Sequence, residues 1–155
     1  MPVWLKSLLF TLIVPGTVAG VIPAWLTRHA GRAGFPILEI AAAVLWLCGI
    51  ALYGWCVGHF FMQGRGTPLP GAAPERLVTT GPYRYSRNPM YVAVLLVIAG
   101  WLAWRPSPVL AVYALAVWAL FSAFIHLYEE PHLLARFDRD YTDYRRDVGR
   151  WWKRP

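Results

Sequence analysis

Residues 40–64 read IAAAVLWLCGIALYGWCVGHFFMQG, a run of 25 residues without a charged side chain. A helix of about 20 apolar residues crosses roughly 30 Å of hydrocarbon, so this run predicts a membrane-spanning helix. Further charge-free blocks cover residues 7–27, 88–104 and 106–128. The block at 88–104 is short, and it spans only if the flanking arginines reach back to the interface. We therefore predict an all-α membrane protein with about four transmembrane helices.

The composition of the 155-residue chain agrees with insertion into a membrane. It is 57% hydrophobic and only 15% charged, whereas soluble domains carry about a quarter charged residues. We expect one domain, residues 1–155. The first block has a second interpretation as a cleaved signal peptide, because small residues occur near Ala19 and Gly20. A retained helix is favoured, since the block is longer than the apolar core of such signals and contains Pro15 and Pro23.

The basic residues indicate how the chain is oriented. With four spans, twelve of the 15 Lys and Arg residues lie on the side that holds both termini and the loop between spans two and three. The positive-inside rule places that side in the cytoplasm, at the inner or plasma membrane if the protein is bacterial. Anionic lipid headgroups attract such segments, so the net charge of +7 predicts the lipid bilayer as partner and no nucleic acid. The oligomeric state is left open.

The loop between spans two and three carries an unusual polar run. Its first part, residues 64–74, is rich in Gly and Pro and is predicted to be extended. Residues 81–91 then read GPYRYSRNPMY. Pro89 is well placed to begin the third helix, and this holds Arg87 and Asn88 at the membrane boundary beside free helix amides. We expect this connecting loop to lie in the cytosol.

The fourth span returns to the same side of the membrane. The turn RPSP at 105–108 makes spans three and four a helical hairpin, and the fourth span runs into HLYEEP at 126–131. Topology alone therefore predicts that the polar run around Arg87 lies next to the acidic pair Glu129 and Glu130. Ionisable groups beside a membrane are functional candidates. Arginines suit a carboxylate, acidic groups an ammonium or hydroxyl, and aromatic rings a cation or purine.

Beyond Pro131 the tail has an apolar stripe at helical spacing. Its members are Leu133, Phe137, Tyr141, Tyr144 and Val148. This period predicts an amphipathic C-terminal helix that either lies in the interface or covers a site beneath it. No spacing of metal ligands is present, so no metal is expected. Cys48 and Cys56 lie about 12 Å apart on one helix, which is too far for a disulfide.

The run GPYRYSRNPMY, preceded by LVTTG at 77–81 and followed by EEPHLLARFDRDYTDYRRDV at 129–148, resembles the isoprenylcysteine carboxyl methyltransferase family. The wider group includes phospholipid N-methyltransferases. The resemblance covers about residues 40–150. It implies S-adenosylmethionine as cofactor, bound by about residues 63–150. It also implies methyl transfer to oxygen, nitrogen or sulfur of a lipidic or small acceptor at the cytoplasmic face.

The resemblance also implies a set of cofactor contacts. They are Leu77, Val78, Tyr83, Arg87, Asn88, Pro89, Tyr91 and, from the last span, Glu129. By this similarity Arg87 suits the methionine carboxylate, and Glu129 suits the amino group or the ribose. Tyr83 or Tyr91 faces the adenine or the sulfonium.

Two departures from the family pattern concern the acceptor. The family's Arg-His-Pro reads Arg-Asn-Pro here, so Asn88 keeps hydrogen bonding but has no titratable ring. An arginine that the prenylcysteine enzymes place one turn before the closing glutamate is Ile125 here. A prenylcysteine carboxylate is therefore disfavoured, and an amine, thiol or other small or lipidic acceptor is favoured. His126 and Glu130 are then the nearest candidates for a general base.

Other interpretations of the chain stay open at this point. One is a membrane reductase of the sterol and steroid reductase type that uses NADPH, because such enzymes share a similar C-terminal layout. Another is a membrane scaffold or sensor without catalysis. Arg84 and Arg87 also fit simple positive-inside anchors, and the tyrosines fit an interfacial aromatic belt. We interpret His59 and Glu39 as structural.

Overall fold

Helices form all the regular structure in the residues that the computed structural model describes, 13–63 and 77–152. We number them α1 (Ile13–Leu26), α2 (Pro36–Gln63), α3 (Pro89–Trp104), α4 (Pro108–Phe124) and α5 (Glu130–Asp147). A 3₁₀ turn at Gly81–Arg84 precedes α3, and a π turn at Ile125–Glu129 joins α4 to α5. The prediction of an extended segment at residues 64–74 lies outside the described residues.

Two helices have the length and composition needed to cross a membrane. They are Pro36–His59 of α2 and the continuous helix that begins at Pro108. Large apolar side chains on both are exposed, among them Ile37 at 72%, Leu47 at 69% and Val112 at 67%, as lipid-facing surfaces require. Helices α1 and α3 are apolar but shorter. The prediction of an all-helical protein is confirmed for the described residues. Of the four predicted spans, two are helices long and apolar enough to cross a membrane.

Close contact between α2 and α3 depends on two glycines. A Cβ on Gly49 would lie 2.8 Å from the carbonyl oxygen of Ala93, and one on Gly100 would lie 2.5 Å from the Trp46 ring. The indole Nε1 of Trp46 donates a hydrogen bond to the carbonyl oxygen of Val97 at 3.2 Å. Small residues at helix crossings are typical of membrane proteins, in which packing rather than the hydrophobic effect drives helix association. The crossing sets the position of α3 against α2.

Polar side chains connect α1 to the hairpin of α3 and α4. The hydroxyl of Tyr113 donates to the carbonyl oxygen of Val18 at 2.7 Å, within the π turn of α1. Nη1 of Arg105 donates to the carbonyl oxygen of Thr27 at 2.9 Å, just beyond the end of α1. Both bonds satisfy backbone oxygens at positions where the regular helical ladder is interrupted or ends.

The hairpin itself agrees with the sequence. Pro89 is the first residue of α3, and α4 begins at Pro108 after a short turn. The chain then continues from α4 through the π turn into α5, so Glu129 and Glu130 return to the end at which α3 begins. Both cysteines, Cys48 and Cys56, are free.

Helix α5 uses its apolar stripe to cover the loop before α3. Tyr141, Tyr144 and Val148 form a buried cluster, against which Leu133, Phe137 and the loop residue Leu77 pack. All five members of the predicted stripe therefore face protein, which supports the covering interpretation. The helix bends at Asp138, whose φ of 38° and ψ of −104° depart from helical values.

Candidate functional site

The polar loop is fixed to α2 through His59. Gly81 has a φ of +60°, a conformation that favours glycine. A Cβ at Gly81 would lie 2.8 Å from Cε1 of the His59 ring. Nε2 of His59 and Oγ1 of Thr80 are 2.8 Å apart and share a hydrogen bond. His59 thus has the structural contact expected of it, and the 3₁₀ turn begins at a defined place on α2.

The next residues, 86–88, are joined to the C-terminal end of the described chain. The backbone N–H of Arg87 donates to the carbonyl oxygen of Gly149 at 3.1 Å. The Ser86 hydroxyl and the Asn88 side-chain amide each donate to the carbonyl oxygen of Arg150 at 3.1 Å. Ser86 and Asn88 are buried. The Asn88 amide nitrogen therefore binds the protein's own backbone, which positions the residues before α3.

Glu130 lies between two arginines. Its Oε1 is 2.9 Å from Nη1 of Arg87, and Arg150 donates from Nε to Oε1 at 3.0 Å and from Nη2 to Oε2 at 2.9 Å. Burial raises the pKa of the Glu130 carboxyl, but the hydrogen bonds from Arg150 and the charge of Arg87 outweigh burial and lower the pKa overall. The carboxylate is therefore ionised and held by both arginines. This arrangement favours a positioning role over that of a general base.

Arg87 has a donor that the described residues do not use. Its Nη1 donates to the Tyr141 hydroxyl at 3.1 Å in addition to contacting Glu130. Its Nε is buried and has no hydrogen-bond partner within residues 13–63 and 77–152. A buried unsatisfied donor costs about 1–3 kcal/mol, and Nε of Arg105, beyond the far end of α3, is unsatisfied in the same way. At Arg87 an anionic oxygen of a ligand would satisfy the donor. The Arg87 side chain is only 7% exposed.

A hydrogen bond between Glu129 and Tyr91 joins the π turn to α3. The Tyr91 hydroxyl donates to Oε2 of Glu129 at 3.1 Å, and the Tyr91 ring packs against Phe121 with centroids 4.7 Å apart. Burial raises the pKa of the Glu129 carboxyl more than the hydrogen bond from Tyr91 lowers it. Burial, followed by nearby ionisable groups that include Glu129, raises the pKa of Tyr83 well above its ordinary value. The Tyr83 hydroxyl therefore stays protonated near neutral pH.

The structure brings most of the predicted site residues to one place. The Arg87–Glu130 ion pair and the Tyr91–Glu129 hydrogen bond confirm that the two clusters meet across the hairpin. Pro89 is buried at the start of α3, and Val78 is buried in the loop next to Leu77. The remaining three predicted residues are Tyr83, Asn88 and His126.

Those three differ in their surroundings. Tyr83 accepts a hydrogen bond at its backbone carbonyl from the Tyr144 hydroxyl at 2.7 Å, and Asn88 contacts Arg150 as described. His126 is exposed, and its Nδ1 lies 3.4 Å from Nη2 of Arg150. Its ring therefore lies at the exposed side of the ion cluster.

Sequence reasoning did not identify Arg150, Ser86 or Tyr141 as parts of the site. In the sequence Arg150 is only one of the basic residues of the tail, and Tyr141 is only a member of the apolar stripe. No motif spacing connects Arg150 to Glu130, because the chain between them bends at Asp138. The burial of a tyrosine hydroxyl within the stripe was the one available signal, since such a hydroxyl usually finds a polar partner.

The two carboxylates should give opposite dependences of stability on pH. At neutral pH, Glu130→Gln should be less stable than wild type by about 1–3 kcal/mol, because it removes charge-assisted hydrogen bonds. The pKa of Glu130 is lowered, so this difference should persist above 4.5, its ordinary value, and shrink as the pH falls below it. Thermal unfolding in detergent between neutral and acidic pH measures the difference.

Glu129→Gln is the matched control for that measurement. The pKa of Glu129 is raised, so the charged form is the costly one in the folded state, and the glutamine variant should be the more stable protein at neutral pH. This advantage should disappear as the pH falls through the raised pKa toward 4.5. Stability differences of the same sign for both variants would contradict the assignment of environments.

Comparisons with known proteins identify the family of the chain. A family model described as phospholipid methyltransferase matches residues 29–140, a range that includes α2, α3, α4 and both glutamates of the site. The nickel-cobalt-cadmium resistance protein NccN of Alcaligenes xylosoxydans xylosoxydans is 37% identical over 87 residues, which are 56% of this chain. The match covers 40% of the length of that curated relative. No solved structure matches the chain significantly.

Proposed function

Because the chain belongs to the phospholipid methyltransferase family, we propose that it transfers a methyl group from S-adenosylmethionine to a lipidic or small acceptor. The family identifies the general kind of protein, a membrane methyltransferase. The observation that carries the choice of cofactor is the buried guanidinium of Arg87, whose Nε has no partner among the described residues. Its ion-pair partner Glu130 is preceded in the chain by Glu129, which accepts a hydrogen bond from Tyr91. A guanidinium and a second carboxylate within one site suit a ligand that carries both a carboxylate and positively charged groups.

The chemistry of the donor set fits S-adenosylmethionine group by group. Arg87 suits the methionine carboxylate, since charge-assisted hydrogen bonds to a guanidinium are strong. Glu129 suits the ammonium group or the ribose hydroxyls. The tyrosine rings of Tyr83 and Tyr91 suit the sulfonium or the adenine. We assign apolar contact with the adenine to the loop residue Val78 and its neighbour Leu77.

In the proposed reaction the bound cofactor supplies an electrophilic methyl group on sulfur. The chain's residues hold it for in-line attack by the acceptor, so positioning and electrostatics supply most of the catalysis. Of the two predicted bases, we favour His126 as the proton acceptor, because its ring is exposed and its contact with Arg150 is long. Glu130 is held by two arginines and is assigned a positioning role.

The proposed orientation follows from the distribution of charge. Four spans, with α1 and α3 as the shorter ones, would place both termini and the loop before α3 in the cytoplasm. The site lies where α3 begins and α4 ends, which would be the membrane–cytosol boundary. The cofactor would then enter from the cytosol and a lipidic acceptor laterally from the bilayer.

Calorimetric titration of the purified full-length chain tests the cofactor assignment. We expect S-adenosylmethionine and S-adenosylhomocysteine to bind with micromolar dissociation constants, and NADPH not to compete with them. Absence of binding by both adenosyl compounds up to about 1 mM, a binding free energy of about −4 kcal/mol, would overturn the proposal. Binding of NADPH in their place would support the reductase interpretation. Transfer of labelled methyl groups to membrane lipids, prenylcysteines and small amines would then identify the acceptor class.

A further inference from the structure

Residues 148–150, which we call the C-terminal clasp, bind both halves of the site. Their backbone accepts hydrogen bonds from the N–H of Arg87 and from the Asn88 amide, at 3.1 Å each. The Arg150 side chain binds Glu130 in bidentate fashion at 3.0 and 2.9 Å. The clasp therefore connects the residues before α3 to the first turn of α5.

The bidentate pair between Arg150 and Glu130 limits the contacts that Arg87 makes with Glu130. Arg150 occupies both oxygens of Glu130, and Arg87 adds only Nη1 to Oε1, at 2.9 Å. The Nε of Arg87 is left buried and without a partner in the described part of the chain. Two guanidinium groups thus face one carboxylate, so a positive charge in this cluster is not neutralised by Glu130.

Removing Arg150 changes this balance. Glu130 would lose the fork that satisfies Oε2, and Arg87 would become its main charged partner. Bidentate pairing is the preferred geometry between arginine and carboxylate. The Arg87 guanidinium would therefore turn further donors toward Glu130, and a ligand would meet a neutral pair in place of a cation with a free donor.

We propose that Arg150 is a positioning residue, which holds Glu130 so that Arg87 keeps a donor and a net charge for the carboxylate of the cofactor. The inference rests on the proposed use of S-adenosylmethionine. It predicts an effect on the carboxylate end of the cofactor alone, so the expected loss of affinity can be distinguished from the effect of a general loss of structure.

The test compares S-adenosylmethionine with decarboxylated S-adenosylmethionine, which lacks only the carboxylate, by competition titration on the full-length chain. For Arg150→Gln, we expect affinity for the intact cofactor to fall about tenfold, and affinity for the decarboxylated form to stay within about twofold. Arg146→Gln is the matched control, because Arg146 is exposed and pairs only weakly with Asp143 at 3.3 Å. It should affect neither ligand.

Each result of this comparison bears on the inference. An unchanged affinity for both ligands, or an equal loss for both, would overturn the role of Arg150 while leaving the cofactor assignment intact. Failure of the wild-type chain to bind S-adenosylmethionine would overturn both. If melting curves show that Arg150→Gln does not fold, Arg150→Lys takes its place. It keeps the charge but not the fork, and it should show a smaller loss that is again confined to the intact cofactor.

Discussion

Replacing Arg87 by glutamine should weaken the binding of S-adenosylmethionine by about 100-fold or more, because hydrogen bonds to charged groups contribute about 1.5–3 kcal/mol and the charge itself is lost. The variant removes the buried Nε donor that has no partner among the described residues. It also leaves Glu130 with Arg150 as its remaining arginine partner in the cluster. Titration of the purified chain measures the change, with decarboxylated S-adenosylmethionine as the less affected ligand.

Arg84→Gln is the matched control for Arg87. Arg84 belongs to the same polar run, three residues earlier, but it is exposed, so its loss should leave the affinity unchanged. Arg87→Lys should recover only part of the binding, because lysine keeps the charge without the planar fork. Unchanged affinity in both Arg87→Gln and Glu129→Ala would show that the cofactor binds elsewhere.

Gly81→Ala should lower the free energy of unfolding by about 2–4 kcal/mol, the sum of left-handed strain and a steric clash. The φ of Gly81 is +60°, and the new Cβ would lie within 2.9 Å of three atoms of the His59 ring. The ring cannot move freely, because its Nε2 shares a hydrogen bond with Thr80. Thermal unfolding in detergent measures the loss, and cofactor binding should weaken with it, since the turn contains Tyr83.

Gly34 separates the two causes of that loss. Its φ is +72°, but nothing lies within 4 Å of a Cβ built on it. Gly34→Ala should therefore cost only the backbone term, about 1 kcal/mol. Equal losses at both glycines would contradict the proposed contact between His59 and the turn.

Local and periodic features of the fold could be predicted from the sequence. The charge-free runs marked α2 and α4, because a helix needs a certain length of apolar residues to cross hydrocarbon. Pro89 marked the start of α3, because its fixed φ suits the first helical position. The stripe in α5 was visible because its spacing repeats with the helical turn.

The meeting of Arg87 with Glu130, and of Tyr91 with Glu129, also followed from the sequence. It needs only the hairpin topology, since a short turn forces the ends of neighbouring helices to the same side. The sequence motifs added the class of cofactor by resemblance. None of this requires knowledge of where an individual side chain points.

The hydrogen-bond partners within the site depended on tertiary packing. The family resemblance implies that Asn88 contacts the cofactor, and Glu130 is a candidate base, yet both bind Arg150, at separations of 62 and 20 positions along the chain. His59 meets Thr80 across 21 positions. Hydrogen bonds depend on directions and on distances of about 3 Å, whereas sequence patterns specify only faces and lengths. The long apolar helices were therefore visible in the order of residues, but the pairing of Arg87 and Arg150 with Glu130 depended on the packing of the clasp against α5.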